Sequence, residues 1–279
     1  MSVNFSVNNN SAASNILSNL NYVQNNINTS YTQLSSGNSI NSAADNPAGY
    51  AISQQMTSQV NGLNTAVQNA QQGVSLIPTA TGSMNQVEGI LQTMNSLAVE
   101  AANGTQNTAD LNNLQSEMNA LVSQVDNTAN STQFNTIHLL NGSSSAVVTL
   151  QVGFDSSSLS QLAFSLYNIT SASLGVSAAS VNITSQSAAL SAISAIQSAI
   201  SLLSSNQASL GSVQDQLNYR ITGLQNESQN LSNAQSVITN TNMAAAYTQF
   251  SQNQVLQQVG LSMLGQAQQQ PAAILKLLS

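Results

Sequence analysis

Charge is nearly absent from this sequence. Its 279 residues carry 2 Lys+Arg and 9 Asp+Glu, so that 4% are charged, against about 25% in an ordinary soluble domain. Two cations cannot neutralise a run of phosphates, which excludes nucleic-acid binding by charge. No polybasic stretch exists for an anionic membrane surface, and no run of about 18 consecutive apolar residues is present to span a bilayer. Cysteine is absent, which excludes a disulfide framework and thiolate metal sites. The single histidine, His138, excludes His-paired zinc motifs and argues against a Ser-His-Asp triad. The few acidic residues stand singly along the chain, as solubilising groups do, rather than as an acid–base pair. Nothing implies a cofactor. The opening MSVNFSVNNN has neither the basic nor the apolar region of a cleavable signal peptide.

Aromatic residues are also scarce, at 4%, although 41% of the chain is hydrophobic. A compact globule of this length usually carries more aromatic anchors. What fills the chain is neutral and polar: Asn and Gln alone make up about a quarter of it. Disorder usually combines high net charge with low hydrophobicity, so the composition suits long helices that bury a narrow apolar stripe.

Periodicity supports helices. Met56, Val60, Leu63, Val67, Ala70, Val74 and Ile77 alternate steps of four and three, the repeat of a coiled-coil seam held over about three heptads. The stripe passes through Thr81 and resumes at Met84, Val87, Leu91 and Met94, which predicts a stammer there. Pro78 lies inside the run and predicts a kink. Asp45-Asn46-Pro47 reads as the helix start and Asn103-Gly104 as its end; the periodic stretch from Ile52 to Ala98 alone spans roughly 70 Å. A second helix carries Leu111, Leu114, Met118, Leu121, Val122 and Val125, with Asp110 near its N-cap. The connection from Asn127 to Gly142 is polar.

From Val148 the period changes to two. Val148, Leu150, Val152 and Phe154, then Leu162, Phe164 and Leu166, alternate with small or polar residues and predict one β-hairpin with a buried face. Asn168 to Ser187 is poorly patterned. Helical spacing returns at Leu190, Ile193, Ile196, Ile200, Leu203, Leu210, Val213, Leu217, Ile221, Leu224 and Leu231, and Asn240-Thr241-Asn242 breaks it. The N-terminal stripe, Ile16, Leu20, Val23, Ile27, Tyr31 and Leu34, is mirrored by Val255, Val259, Met263 and Leu264. Amphipathic ends of this kind need partners: each other, and then other copies, whose repeated contact builds a ring or an open helical filament.

Several segments carry a family resemblance. Leu34-Ser35-Ser36-Gly37-Asn38-Ser39-Ile40-Asn41-Ser42-Ala43-Ala44-Asp45-Asn46-Pro47-Ala48-Gly49 resembles the linker motif of bacterial flagellins. Gly62-Leu63-Asn64-Thr65-Ala66-Val67-Gln68-Asn69-Ala70, Leu97-Ala98-Val99-Glu100-Ala101-Ala102-Asn103-Gly104, and Thr132-Gln133-Phe134-Asn135 with Leu139-Leu140-Asn141-Gly142 resemble the rest of the N-terminal region. Leu210 to Tyr219 and Gln254 to Gly260 resemble the C-terminal one.

The resemblance implies a mainly α fold of long antiparallel coiled-coil helices with one small β-hairpin. It divides the chain into an N-terminal inner-core helix and linker (1–45), outer-core helices (46–142), a hairpin region with a reduced variable segment (143–189), an outer-core C-terminal helix (190–239) and a C-terminal inner-core helix (240–279). It implies a structural subunit of a helical filament of many copies, secreted by the flagellar type III route and placed in the extracellular bacterial flagellum. A low-copy hook–filament junction or related axial protein is the alternative. Implied partners are the cap and junction proteins and an export chaperone at the C-terminal region. Inner-core assembly falls on Ile16, Leu20, Val23, Ile27, Val255, Val259, Met263 and Leu264. The linker motif falls on Leu34, Ser36, Gly37, Ile40, Asn41, Asp45, Ala48 and Gly49. The outer-core seam falls on Met56, Leu63, Val67, Val74, Leu91, Leu210, Val213, Leu217 and Leu224.

The chain departs from the family by losing basic residues, and the departure has two consequences. Stability that rests on ion pairs is lost as acid protonates the carboxylates, whereas amides and apolar seams are indifferent to it. This suits a protein that meets low pH. The patch read by the innate-immune flagellin receptor falls on Thr93, Leu97 and Glu117, and Thr93 stands where the family has Arg. Losing such an anchor typically costs ~2 kcal/mol at an interface hot spot, so recognition is expected to be weak. Receptor-bearing cells should respond to the Thr93→Arg protein at concentrations roughly tenfold lower or less; equal stimulation by the two proteins removes the reading.

Overall fold

The computed structural model describes residues 10–143 and 147–278, with side chains described through 269. Helix α1 (Ser11–Ser36) is followed by α2 (Pro47–Ala101) and α3 (Thr108–Ser131). Two short antiparallel strand pairs come next, β1 (Gln133–Phe134) with β2 (Ile137–His138) and β3 (Val147–Gln151) with β4 (Gln161–Ser165). Helices α4 (Gln186–Thr239) and α5 (Met243–Leu278) complete the chain. The residues divide into two compact units. One holds the chain up to Ser58 and from Asn230 onward; the other is Gln59–Gln229.

Within the Gln59–Gln229 unit, α2 buries Leu63, Ala66, Ala70, Gly73, Ile77, Ala80, Met84, Val87, Leu91, Met94, Ala98 and Ala101. The steps alternate three and four throughout, so the predicted stammer is absent. The sequence pattern was carried by Val67 and Val74, which lie half-buried one position beside the seam. The seam itself runs through Ala66, Gly73 and Ala80, too small to stand out in a hydrophobic pattern. Met56, in the other unit, is likewise half-buried. Helix α2 continues without a break through Pro78, which lies on its exposed face.

The small residues let neighbours approach. A Cβ on Gly73 would lie 2.2 Å from Leu150 Cδ1 of β3 and 3.1 Å from Leu217 Cδ1 of α4. On α4 the stripe is again spaced by threes and fours: Ala189, Ala192, Ile196, Ala199, Leu203, Asn206 and Leu210 are buried, followed by Leu217 and Leu224. Val213 is half-buried and Leu190 is exposed. Met118, Val122, Val125 and Ala129 of α3 join the same core. By length and composition alone α4 could cross a membrane, with a window of mean hydropathy 1.4. Part of that apolar content, 28% of the window, is buried within the protein.

Two features escape periodicity. The connection after α3 forms the β1–β2 pair, turned by Asn135 and Thr136 at positive φ, so there are two small strand pairs rather than the one expected. The unpatterned stretch after β4 contributes Ile169, Leu174, Val176, Val181 and Ile183 to the core, all nearly inaccessible. It is tied to α3 by polar bonds. Asp126 accepts from Ser171 N and Ser171 Oγ, each at 2.8 Å, and Gln115 Oε1 accepts from Ile183 N at 2.7 Å. The expected hairpin forms with Val148 opposite Phe164 and Leu150 opposite Leu162. Phe154 lies beyond the strand, exposed, with its Cβ 2.8 Å from the Cβ position of Gly62.

Many hydroxyl groups bond within their own helix. Along α4, Ser191, Ser194, Ser198 and Ser201 each donate to the carbonyl four residues back, a bond that removes the hydroxyl from competition with water. Gln115 donates to Asn119 at 2.9 Å, a neutral counterpart of the i,i+4 ion pair. Helix α3 starts with a reciprocal capping box between Asn107 and Asp110, worth about 1 kcal/mol. A bulky side chain at Gly73 should separate α2 from β3 and α4. Gly73→Leu is expected to destabilise this unit by about 1–3 kcal/mol in urea unfolding. Gly82→Ala, in open space on the same helix, should stabilise it by up to ~1 kcal/mol.

Candidate assembly surface

In the unit formed by the two ends of the chain, α1 and α5 lie side by side and antiparallel. Their register follows from three contacts. Asn10 Nδ2 donates to Ala267 O at 2.8 Å, Gln257 Nε2 donates to Gln24 Oε1, and Leu20 Cδ1 lies 2.9 Å from where a Cβ on Gly260 would stand. Extended along the pair, this register sets Ile16 opposite Leu264, Ile27 opposite Asn253, Ser30 opposite Phe250 and Leu34 opposite Ala246. Both faces keep steps of three and four. Ile16, Leu20, Val23, Ile27 and Leu34 are half-buried with Leu264, while Ser30, Ala246, Asn253 and Ala267 are buried.

The eight assembly positions therefore do not form one seam. Ile16, Leu20, Val23, Ile27 and Leu264 face the partner helix of the same chain. Val255, Val259 and Met263 are 61%, 53% and 51% exposed. Leu256 and Leu261 are exposed with them, and Leu17, Tyr22 and Tyr31 are exposed on α1. By helical spacing Val255, Leu256, Val259 and Met263 share one side of α5, an apolar strip unusual for a surface meant to stay in water. Sequence spacing could not separate the two faces, because both helices carry apolar residues on more than one side.

The linker motif joins the pair to α2. Gly37 ends α1 at φ +74°, a conformation that favours glycine, and its N–H donates to Gln33 O at 2.9 Å. Ser36 Oγ donates to Thr32 O and accepts from Asn38 N. The chain then runs antiparallel beside the α4–α5 junction: Ser39 N donates to Thr239 O at 2.6 Å and Thr241 N to Gly37 O at 2.9 Å. Asn41 Nδ2 donates to Asn38 O. Gly49 is buried, and a Cβ there would stand 2.6 Å from Ile40 Cδ1, so the glycine lets Ile40 rest on the first turn of α2. Ala48 is exposed. The helix cap is Asn46, whose Oδ1 accepts from Gly49 N at 2.9 Å. Asp45, expected to share that role, turns the other way and accepts from Ser42 N at 2.8 Å, Asn41 N at 3.0 Å and Ser42 Oγ at 3.1 Å.

A cleft of about 730 Å³ beside α2 and α3 is lined by neutral groups such as Thr79, Ser83, Gln86, Gln124, Asn127 and Asn130. Of the receptor-patch positions, Thr93 and Glu117 are exposed, but Leu97 is 9% exposed and belongs to the core.

The backbone N–H groups of Ser42 and then Asn41 hold the Asp45 carboxyl below its usual pKa, because they bond the charged form. Its contribution to the linker is full above the usual carboxylate range and is lost as pH falls through the lowered folded-state value. Other carboxylates also lean on neutral donors: Glu88 on Gln207, Asp126 on Ser171 and Asp155 on Ser160. Between pH 7 and pH 2, helical circular dichroism should change little, while amide protection at residues 41–46, taken relative to the intrinsic exchange rate at each pH, falls. Asp45→Asn should flatten that fall; unchanged protection in both proteins counts against the staple.

Comparison with known proteins supplies the family. The model of the bacterial flagellin N-terminal helical region matches residues 7–145, and that of the C-terminal helical region matches residues 193–278. The chain is 38% identical over 246 residues to a flagellin of Halalkalibacterium halodurans, covering 88% of this chain and 89% of that one. It is 46% identical over 142 residues to a longer flagellin of Clostridium tyrobutyricum, of which it spans 38%. The crystal structure of Bacillus cereus flagellin shares the fold, with a TM-score of 0.50 at 24% identity over 56% of this chain and 88% of that one. Two helical regions matched in order at the two ends, and a relative matched over nearly its whole length, place this chain in the bacterial flagellin family, whose members are the structural, non-enzymatic subunits of the flagellar filament.

Proposed function

We propose that copies of this chain join through the outer face of the α1–α5 pair, with Val255, Val259 and Met263 at its centre. The observation that carries this is their exposure beside a seam already closed by Ile16, Leu20 and Leu264. Fully burying an aliphatic side chain stabilises by about 1.5–3 kcal/mol, so several half-exposed ones supply several kcal/mol per joined copy before ordering costs. On this reading residues 1–45 and 240–279 belong to the inner core of the filament, and residues 46–142 and 190–239 to its outer core.

The same face needs cover before export by the flagellar type III route, and a chaperone binding the C-terminal region supplies it. The cap and hook–filament junction proteins would meet the filament ends through this face too. For the immune receptor, burial of Leu97 and replacement of the usual Arg by Thr93 leave Glu117 as the one exposed patch position of family type, in keeping with weak recognition.

Val259→Asp tests the assembly face. A carboxylate driven into an apolar contact costs several kcal/mol, so the variant should fail to elongate seeds in electron microscopy while unfolding of the Gln59–Gln229 helices stays unchanged. Normal elongation by Val259→Asp sinks the assignment.

A further inference from the structure

The seam between α1 and α5 is a poor hydrophobic zipper. Ser30 is buried within it, Gln257 occupies a seam position, and Asn253 is 7% exposed with no hydrogen-bond partner for its Nδ2. Apolar burial of this kind is not directional, and a heptad pattern presents much the same stripe after sliding by one repeat. Something else must select one register.

We propose that Leu20 seated on Gly260, with the Gln24–Gln257 bond beside it, is the key by which α1 recognises α5. A Cβ at position 260 would stand 2.9 Å from Leu20 Cδ1. The Leu20 side chain therefore occupies the space that a side chain at residue 260 would take. Farther along the pair, the same register sets large against small again at Ser30 opposite Phe250 and Leu34 opposite Ala246. Sliding by one heptad toward the N-terminus of α1 brings Gly260 opposite Ala13 and leaves a void, while Phe250 meets Val23 and is crowded; voids and crowding both destabilise packed seams. The same slide parts Gln24 from Gln257 and leaves two amides short of their bond.

Register matters beyond the pair. One heptad is about 10 Å along a helix axis. A slipped pair would shift Val255, Val259 and Met263 by that distance against the rest of the chain and remove them from the face that a second copy meets. The inference thus deepens the assembly reading and rests on it for its consequence, but not for its test.

The absence of cysteine makes the register directly readable. In full-length protein under polymerising conditions, Ala13→Cys with Ala267→Cys reports the observed register, and Ile27→Cys with Ala246→Cys reports the slipped one. On the natural background only the first pair should cross-link. Gly260→Leu should lower its yield roughly tenfold or more, with or without a gain in the second pair, and Leu20→Ala combined with Gly260→Leu should restore it by returning large-against-small packing to the layer. Gly265→Leu, in open space on the same helix, should leave the yield unchanged. Unaltered cross-linking in Gly260→Leu, no recovery in the double variant, or an equal loss in Gly265→Leu overturns the proposal. Filament yield, measured separately on chains without the added cysteines, should fall and recover in the same order. A cross-linking pattern as expected with filament yield unaffected would retain the key and reject the assembly face.

Discussion

Steric fit between small and large residues is the constraint on which the rest of this structure depends. Most helical proteins can pair helices by charge as well as by shape. With 4% charged residues, this chain has little charge to use, and its hydroxyls are largely engaged by their own helices. What remains is the profile of each seam. Gly73 admits Leu150 and Leu217, Gly62 admits Phe154, Gly49 admits Ile40, and Gly260 admits Leu20. The same device recurs in both compact units, at helix–hairpin, helix–helix and helix–loop contacts. Close approach of backbones increases dispersion contacts per residue, which helps a core with few aromatic rings.

This explains what could be read from the sequence and what could not. The long helices were legible because Leu63, Met84, Leu91 and Leu210 keep helical spacing. The β3–β4 pair was legible because Val148, Leu150, Leu162 and Phe164 alternate. The path of the α2 seam was not, because large residues announce a stripe more loudly than the small ones that define its bottom; Val67 and Val74 drew attention from Ala66 and Gly73. Ile169, Val181 and Ile183 were invisible for a different reason: irregular chain has no period, so its buried residues look isolated until a fold collects them. The sequence placed the assembly positions on α1 and α5 but could not divide Leu264, which is half-buried, from Val259, which is exposed. That division depends on the rotation of α5 about its own axis, which the register with α1 fixes.

The linker shows how polar groups are used when they are used. Two chain passages, one leaving α1 and one entering α5, are fastened by backbone bonds from Ser39 to Thr239 and from Thr241 to Gly37. Asp45 closes the loop that follows, bonded to N–H groups rather than to a cation. Backbone partners are present whatever the surrounding side chains, so this junction is indifferent to substitution over much of its surface.

Neutral pairing has one more result. Mobile ions weaken attractions between exposed charges over about 10 Å at ordinary ionic strength. Here the contacts that position the helices are a leucine over a glycine, an amide against an amide, or a serine bonded to its own carbonyl. Dissolved salt finds few attractions to screen in these contacts, so it leaves the packing within each seam largely as it is.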